Sequence, residues 1–273
     1  MPTILRPLTL GELLDRAFQL YRSRFGVFAG IAAVAYLPAF VIQTLTLWAP
    51  KAISPSVGVG AAVGFILLLL LRYVAIAAAA AATIIVVSAA YLEQPITVRE
   101  AYARVSGMVV RIFFTMVGMG IGIMIGFVLL IVPGIILSLM WALAIPVAVL
   151  EDTGLGESLS RSRQLTAGHR GRVFGIFLLY FVLLYALTMA LGVPLIVFVA
   201  IKGGHVNPAS VPPALAVFTA VSSFLAECLV TPVLTISLSL MYYDERVRKE
   251  AFDIHLMINA LGDAPGEPNA ASA

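Results

Sequence analysis

Two ionisable side chains, Arg72 and Glu227, stand inside long apolar stretches, where a charge is costly and marks a candidate for function. Glu227 is central in its stretch, five residues before Pro232. A carboxylate at such a position is expected to be protonated or paired with a cation. Two interpretations stay open: Glu227 is a structural or neutral acid, or it has a proton- or ion-linked role.

Arg72 is the first partner to consider for Glu227, because it is the basic residue inside another apolar run. It lies about 20 residues from the expected cytoplasmic end of its helix, or ~30 Å at ~1.5 Å per residue. That distance predicts a position near the outer surface of the membrane. Snorkelling of the guanidinium to that surface is therefore the favoured role.

The other reactive residue types form no recognisable catalytic set. None of His169, His205 and His255 has a cysteine or carboxylate at ligand spacing, and the single Cys228 has no disulfide partner. No metal site, no cofactor and no catalytic residue are predicted, and the chain is predicted not to be an enzyme.

A Glu-x-x-x-Arg pattern occurs before three of the apolar runs, and its ion pairs support helices by ~0.2–0.5 kcal/mol each. The three pairs are Glu12/Arg16, Glu100/Arg104 and Glu157/Arg161. Thr9 and Thr97 stand three residues before the first two glutamates, which is capping-box spacing. The pattern predicts three units, each a short amphipathic cytoplasmic helix followed by a hairpin of two spans. The apolar faces of these helices either contact lipid at the interface or pack on the protein's own bundle.

Six apolar runs must position these residues, in a chain that is 61% hydrophobic and 11% charged. About 20 apolar residues cross the ~30 Å hydrocarbon core, so the runs predict an all-α integral membrane protein with six transmembrane helices. The predicted spans are residues 25–48, 57–92, 112–132, 134–150, 173–201 and 211–243. Pro133-Gly134 is interpreted as the turn between the third and fourth spans. The second run, with 36 residues, is either one tilted helix or a broken one.

Glycines recur every four residues in the third run, at Gly118, Gly122 and Gly126. This spacing produces a smooth strip on one helix face and favours close helix packing. A substrate path along the strip is the alternative.

The orientation of the six spans follows from the distribution of basic residues. Two of them, Lys51 and Lys202, fall on one predicted side, and fourteen fall on the other. The fourteen are Arg6, Arg16, Arg22, Arg24, Arg99, Arg104, Arg111, Arg161, Arg163, Arg170, Arg172, Arg246, Arg248 and Lys249. The positive-inside rule then predicts that both termini are cytoplasmic. Residues 1–260 form one predicted membrane domain, and residues 261–273 a disordered cytoplasmic tail.

Several segments of the chain resemble one known family. They are Leu5–Arg16, Pro133–Ile136, Trp141–Glu151, Ser158–Gly168 and Tyr242–Glu250. In their order and spacing they resemble the bacterial membrane-protein family named for the membrane domain of glycerophosphoryl diester phosphodiesterases. The resemblance implies a six-span helical domain in the bacterial inner membrane. Family members with the enzyme name carry diesterase chemistry on a separate soluble domain, so no such activity is expected of this chain.

Two classes of function fit these observations. The favoured one is a non-enzymatic membrane scaffold or accessory protein whose basic cytoplasmic helices contact lipid. The alternative is a small transporter or permease with Glu227 as a coupling residue. The expected partners are the lipid bilayer, anionic lipid head groups, and either a protein partner or further copies of this chain; no nucleic acid is expected.

Overall fold

The computed structural model describes residues 8–48, 59–201 and 212–250, and within these ranges the chain is helical without a strand. Ten helices occur there: α1 Leu10–Ser23, α2 Phe25–Trp48, α3 Val59–Tyr91, α4 Val98–Val105, α5 Val109–Leu129, α6 Ile131–Met140, α7 Ala144–Leu150, α8 Leu155–Thr166, α9 Arg170–Ile201 and α10 Pro213–Glu250. The predicted tail, residues 261–273, lies outside the described residues.

Six helical stretches of the described chain are long and apolar enough to cross a membrane. They are Phe25–Thr44, Ile66–Tyr91, Val109–Leu129, Ile131–Leu150, Arg170–Ile201 and Pro213–Lys249. The predicted all-helical protein with six apolar spans is therefore confirmed. The three hairpin units, each with an amphipathic helix at its start, stay a prediction, because the segments that join α2 to α3 and α9 to α10 lie outside the described ranges.

The second apolar run forms the single helix α3, which has 33 residues and is about 50 Å long at ~1.5 Å per residue. This settles the alternative that the sequence left open, since the helix continues through Arg72 without a break. Such a length exceeds the ~30 Å hydrocarbon core, so α3 tilts or extends beyond it.

The predicted turn at Pro133-Gly134 is wrong, because both residues lie within the first turn of α6, which begins at Ile131. The chain reverses at Leu130 instead, the one residue between α5 and α6, whose backbone is extended. Proline is tolerated in a first helical turn because the N–H groups there have no intrahelical partner. Pro133 and Gly134 thus belong to the N-terminal turn of α6.

The fourth span is also interrupted, which the sequence analysis did not predict. It consists of α6 and α7, separated by a break at Trp141–Leu143. Hydroxyl groups of α8 bond the backbone at this break. Ser162 Oγ donates to the Met140 carbonyl at 2.9 Å and accepts from the Leu143 N–H at 3.1 Å, and Thr166 Oγ1 donates to Met140 at 3.1 Å. These bonds satisfy backbone groups that would otherwise be unpaired in an apolar environment.

Both predicted capping boxes are confirmed. Thr9 and Glu12 cap α1, and Thr97 and Glu100 cap α4, with each threonine side chain accepting from the glutamate N–H and each glutamate accepting from the threonine N–H. The inner face of α1 is buried, and the helix packs on α10, α2 and α9. Helix α4 likewise buries Ala101 against α3 and α2. These apolar faces therefore pack on the bundle itself.

The core lies at the end of the bundle that carries α1, α4, α7 and α8. Its fully buried members include Leu13, Phe28, Ile84, Ile112 and Met241. Beyond this end, apolar side chains on the long helices are exposed, as expected for a surface that faces lipid.

The glycine strip of α5 makes close packing contacts. A Cβ at Gly118 would meet Leu155 of α8 at 2.6 Å, and one at Gly122 would meet the Trp141 ring at 2.5 Å. A Cβ at Gly126 would lie 3.1 Å from the Gly134 backbone. These contacts explain the spacing as a packing surface.

We expect Gly122→Ala to lower stability by ~1–3 kcal/mol, because the added methyl group overlaps the Trp141 ring at the break in the fourth span. Gly120→Ala is the matched control, since a Cβ at Gly120 meets nothing within 4 Å. Thermal unfolding of the two purified variants in detergent measures the difference. Equal melting temperatures would refute the packing role of the strip.

Candidate functional site

The two intramembrane charges meet in the structure. Arg72 Nη2 of α3 lies 3.5 Å from Glu227 Oε1 of α10, and the two side chains are 45% and 38% exposed. In a medium of low dielectric constant, the attraction between such charges is much stronger than in water. The pair therefore offsets part of the cost of placing each charge in the membrane.

The favoured role of Arg72, snorkelling at the outer surface, stays a prediction beside this contact. Glu227 is 15 residues from Tyr242, which corresponds to about 22 Å along α10. Tyr36 borders the same cavities as the ion pair and lies halfway along the 24-residue α2. The pair thus sits near the middle of these helices.

Two cavities border the ion pair. One, of about 410 Å³, lies between α2, α3 and α10, and the other, of about 400 Å³, lies between α2, α3, α9 and α10. Arg72, Glu227, Tyr36 and Ser223 line both. The second cavity adds the hydroxyl-bearing side chains Tyr180, Thr188 and Thr231. The first is walled mainly by apolar residues, namely Ala35, Pro38, Ala39, Phe40, Ile42, Leu68, Leu69, Leu71, Ala75 and Phe224.

A second polar centre, which we call the Asp244 cluster, joins the ends of three segments. It consists of Asp244 and Glu245 on α10, Arg172 and His169 at the start of α9, Arg248, and the Leu8 backbone. The Asp244 carboxylate accepts from the Leu8 N–H at 2.7 Å, from Arg172 Nη1 at 2.7 Å and from Arg248 Nε at 2.9 Å. Arg172 and Arg248 also donate to the Leu8 carbonyl.

Glu245 is fully buried within the Asp244 cluster. Its carboxylate accepts from Arg172 Nη1 at 2.8 Å, and its other oxygen lies 2.8 Å from His169 Nδ1. Lys249, four residues after Glu245, donates from Nζ to the Gln164 carbonyl at the end of α8 at 2.7 Å. His169 likewise has the carboxylate partner that sequence spacing did not reveal.

Glu151, after α7, extends these contacts to α8. It accepts from Tyr242 Oη at 2.9 Å and from Arg161 Nε at 3.2 Å. The next residue, Asp152, is bonded by Arg111 from the first turn of α5, and this hydrogen bond and charge hold the pKa of the Asp152 carboxyl below its ordinary value. Polar contacts therefore join α10 to α8 through Glu151, and α5 to the segment after α7 through Arg111.

The predicted repeat residues take unequal roles. Glu12 and Glu100 cap their helices, and the capping hydrogen bonds from Thr97 lower the pKa of Glu100. Arg161, in the third copy, bonds Glu151, and α8 has no side-chain cap at Gly154. Equivalence of the three copies stays a prediction.

The sequence analysis missed the buried hydroxyl face of α8, formed by Ser158, Ser162 and Thr166. A signal was present, since these residues recur every four positions and share one helix face. It also missed the structural role of Arg172, which was counted only among the basic residues that predict the orientation of the spans.

These features define the protein as a multi-pass helical membrane protein with a charge pair among its spans. Residues 112–260 match the family model described as the membrane domain of glycerophosphoryl diester phosphodiesterase. The match covers more than half of the chain, so the chain belongs to this family. No match was found among curated proteins or solved structures.

We expect Arg172→Gln to destabilise the protein by ~3–5 kcal/mol, because it leaves the buried carboxylates of Asp244 and Glu245 without their shared cation. Arg163→Gln, on the exposed face of α8, should change stability by less than ~0.5 kcal/mol. Thermal unfolding in detergent tests both variants. Equal stability of Arg172→Gln and wild type would exclude a stabilising role for the Asp244 cluster.

Proposed function

We propose that the protein is a non-enzymatic scaffold or accessory protein of the bacterial inner membrane, with six spans in three hairpins and both termini in the cytoplasm. The clustering of the basic residues supports this orientation. Apart from Arg6, which lies outside the described residues, the fourteen basic residues stand on segments at one end of the bundle. Hydrogen bonds connect these segments, for example from Arg24 to the Gln94 carbonyl and from Lys249 to the Gln164 carbonyl.

Reporter fusions test the topology. Fusions after Lys51, Leu92, Lys202 and Ala273 should report outside, inside, outside and inside in turn, since the basic end stays in the cytoplasm. An enzymatic reporter that is active only in the periplasm and a fluorescent one that folds only in the cytoplasm provide complementary readings. A periplasmic C-terminus would overturn the proposed orientation.

The Asp244 cluster is the observation that carries the scaffold function. It fixes the N-terminal segment, α9 and α10 to one another through buried ion pairs, and Glu151 connects α10 to α8. A buried ionic network of this kind holds the helix ends in one arrangement. The cytoplasmic face is then a rigid platform that a protein partner or another copy of the chain can recognise.

Exposed basic side chains give this platform its affinity for anionic head groups. Arg22, Arg99, Arg104 and Arg163 are exposed on α1, α4 and α8. Basic residues near an anionic surface contribute about 1 kcal/mol each. The inner faces of α1, α4 and α8 pack on the bundle, so contact with lipid is electrostatic in this proposal and involves little insertion of apolar side chains.

Co-purified lipid tests the platform. The combined Arg22→Gln, Arg99→Gln, Arg104→Gln and Arg163→Gln variant should retain several-fold less anionic phospholipid in mild detergent, by mass spectrometry, and lose the stabilisation that added anionic lipid provides. Asp15→Asn with Glu157→Gln, exposed acids on the same surface, is the matched control. Equal retention by wild type and the basic-residue variant would reject lipid contact by these helices.

A transport role is the second candidate function, and the contact between Arg72 and Glu227 favours it. The pair borders two cavities near the middle of four spans, which is where transporters bind their substrates. In this role Glu227 is the coupling residue. Glu227→Gln should then abolish transport while insertion and folding stay normal.

A further inference from the structure

The ion pair of Arg72 and Glu227 is incompletely covered by protein. Both side chains keep more than a third of their surface exposed. An uncompensated charge in the middle of a membrane costs roughly 2.5–3.5 kcal/mol on insertion scales. The two charges offset part of this cost for each other, and their exposed part can contact a polar group from outside the chain.

The walls of the first cavity indicate that this group is part of an amphiphile. Leu68, Leu69 and Leu71 line the cavity and are also 40–55% exposed on the outer surface of α3. Leu67 continues this exposed apolar surface. In a bilayer, such side chains contact acyl chains, so the cavity lies beside the lipid. A ligand that enters from there keeps its apolar part among the leucines and its polar part at the ion pair.

The polar groups fit a head group that carries both charges. A guanidinium binds phosphate oxygens with two parallel hydrogen bonds, and a carboxylate accepts from an ammonium group. In the second cavity, Tyr180, Thr188 and Thr231 supply hydroxyls that can accept or donate. The Arg72 guanidinium and the Glu227 carboxylate are in contact. A phosphate bound to the first and an amine bound to the second would therefore be close enough to belong to one small head group.

We propose that this groove binds the head group of a zwitterionic, amine-bearing phospholipid within the apolar part of the bundle and so allows the lipid to pass between leaflets. The proposal rests on the transport role above and names its substrate class. Arg72 holds the phosphate and Glu227 holds the ammonium, while the acyl chains stay in the surrounding bilayer. The two cavities that border the pair supply the space for the head group beside it.

Reconstitution into vesicles tests the proposal. Wild-type protein should accelerate the movement of a fluorescent ethanolamine phospholipid to the outer leaflet, measured by bleaching with an impermeant reductant. Arg72→Gln and Glu227→Gln should each slow it at least about tenfold, the factor that corresponds to 1.36 kcal/mol of barrier. Gly120→Ala is the matched control and keeps the wild-type rate, since a Cβ at Gly120 meets nothing within 4 Å. Equal melting temperatures show that the variants are folded.

A second lipid separates ligand contact from a structural role. Fluorescent phosphatidylglycerol has the phosphate without the amine, so Arg72→Gln should slow its movement and Glu227→Gln should not. If Glu227→Gln slows both lipids equally, Glu227 does not bind the amine, and the proposed head-group contact is wrong.

Uptake of soluble phosphoethanolamine into the same vesicles distinguishes failure of the substrate class from failure of transport. If wild type accumulates phosphoethanolamine, Glu227→Gln does not, and neither lipid moves, the lipid substrate is wrong and the transport role stands. If neither the lipids nor phosphoethanolamine move in wild-type vesicles, both proposals are overturned.

Discussion

The carboxylate of Asp244 is the contact on which the arrangement of the bundle depends. It receives hydrogen bonds from the N-terminal segment, from the start of α9 and from the next turn of α10. Helices in lipid gain little from apolar contact with one another, because acyl chains are as apolar as leucine. Directional polar contacts outside the hydrocarbon can therefore decide which helices are neighbours. The Asp244 cluster supplies such contacts for residues that are 72 to 236 positions apart.

The polar groups fall into two parts of the protein, which differ in how closely they are packed. At the basic end, carboxylates, guanidiniums and backbone carbonyls satisfy one another, and the core beside them is well packed. Near the middle of the long helices, a single ion pair stands beside cavities. The first arrangement suits a fixed structure. The second leaves space beside two charged side chains, which suits a ligand that must arrive and leave.

The sequence alone was sufficient to predict the parts of the fold that depend on residues close to one another in the chain. The six spans follow from hydropathy, and the capping boxes follow from Thr-x-x-Glu spacing, since both signals involve neighbouring residues. The prediction of a turn at Pro133-Gly134 was wrong because this dipeptide is compatible both with a turn between helices and with the start of a helix. The partners of Glu245 could not be predicted, since an (i, i+4) rule considers one helix, whereas His169 lies 76 positions away. Arg72 was the first partner to consider for Glu227, as the basic residue inside another apolar run, but their contact could not be predicted because sequence does not give the relative depth of two helices.

The break between α6 and α7 has a consequence for synthesis. The carbonyl of Met140 is bonded by Thr166, which the ribosome adds 26 residues later. At roughly 5–20 residues per second, the fourth span waits about one to five seconds for the hydroxyl that completes its backbone. Until Ser162 and then Thr166 are added, the Met140 carbonyl lacks these two donors, and α5 is the helix packed against α6. The third and fourth spans are thus expected to leave the translocon as a pair and to reach their final form only when α8 has emerged.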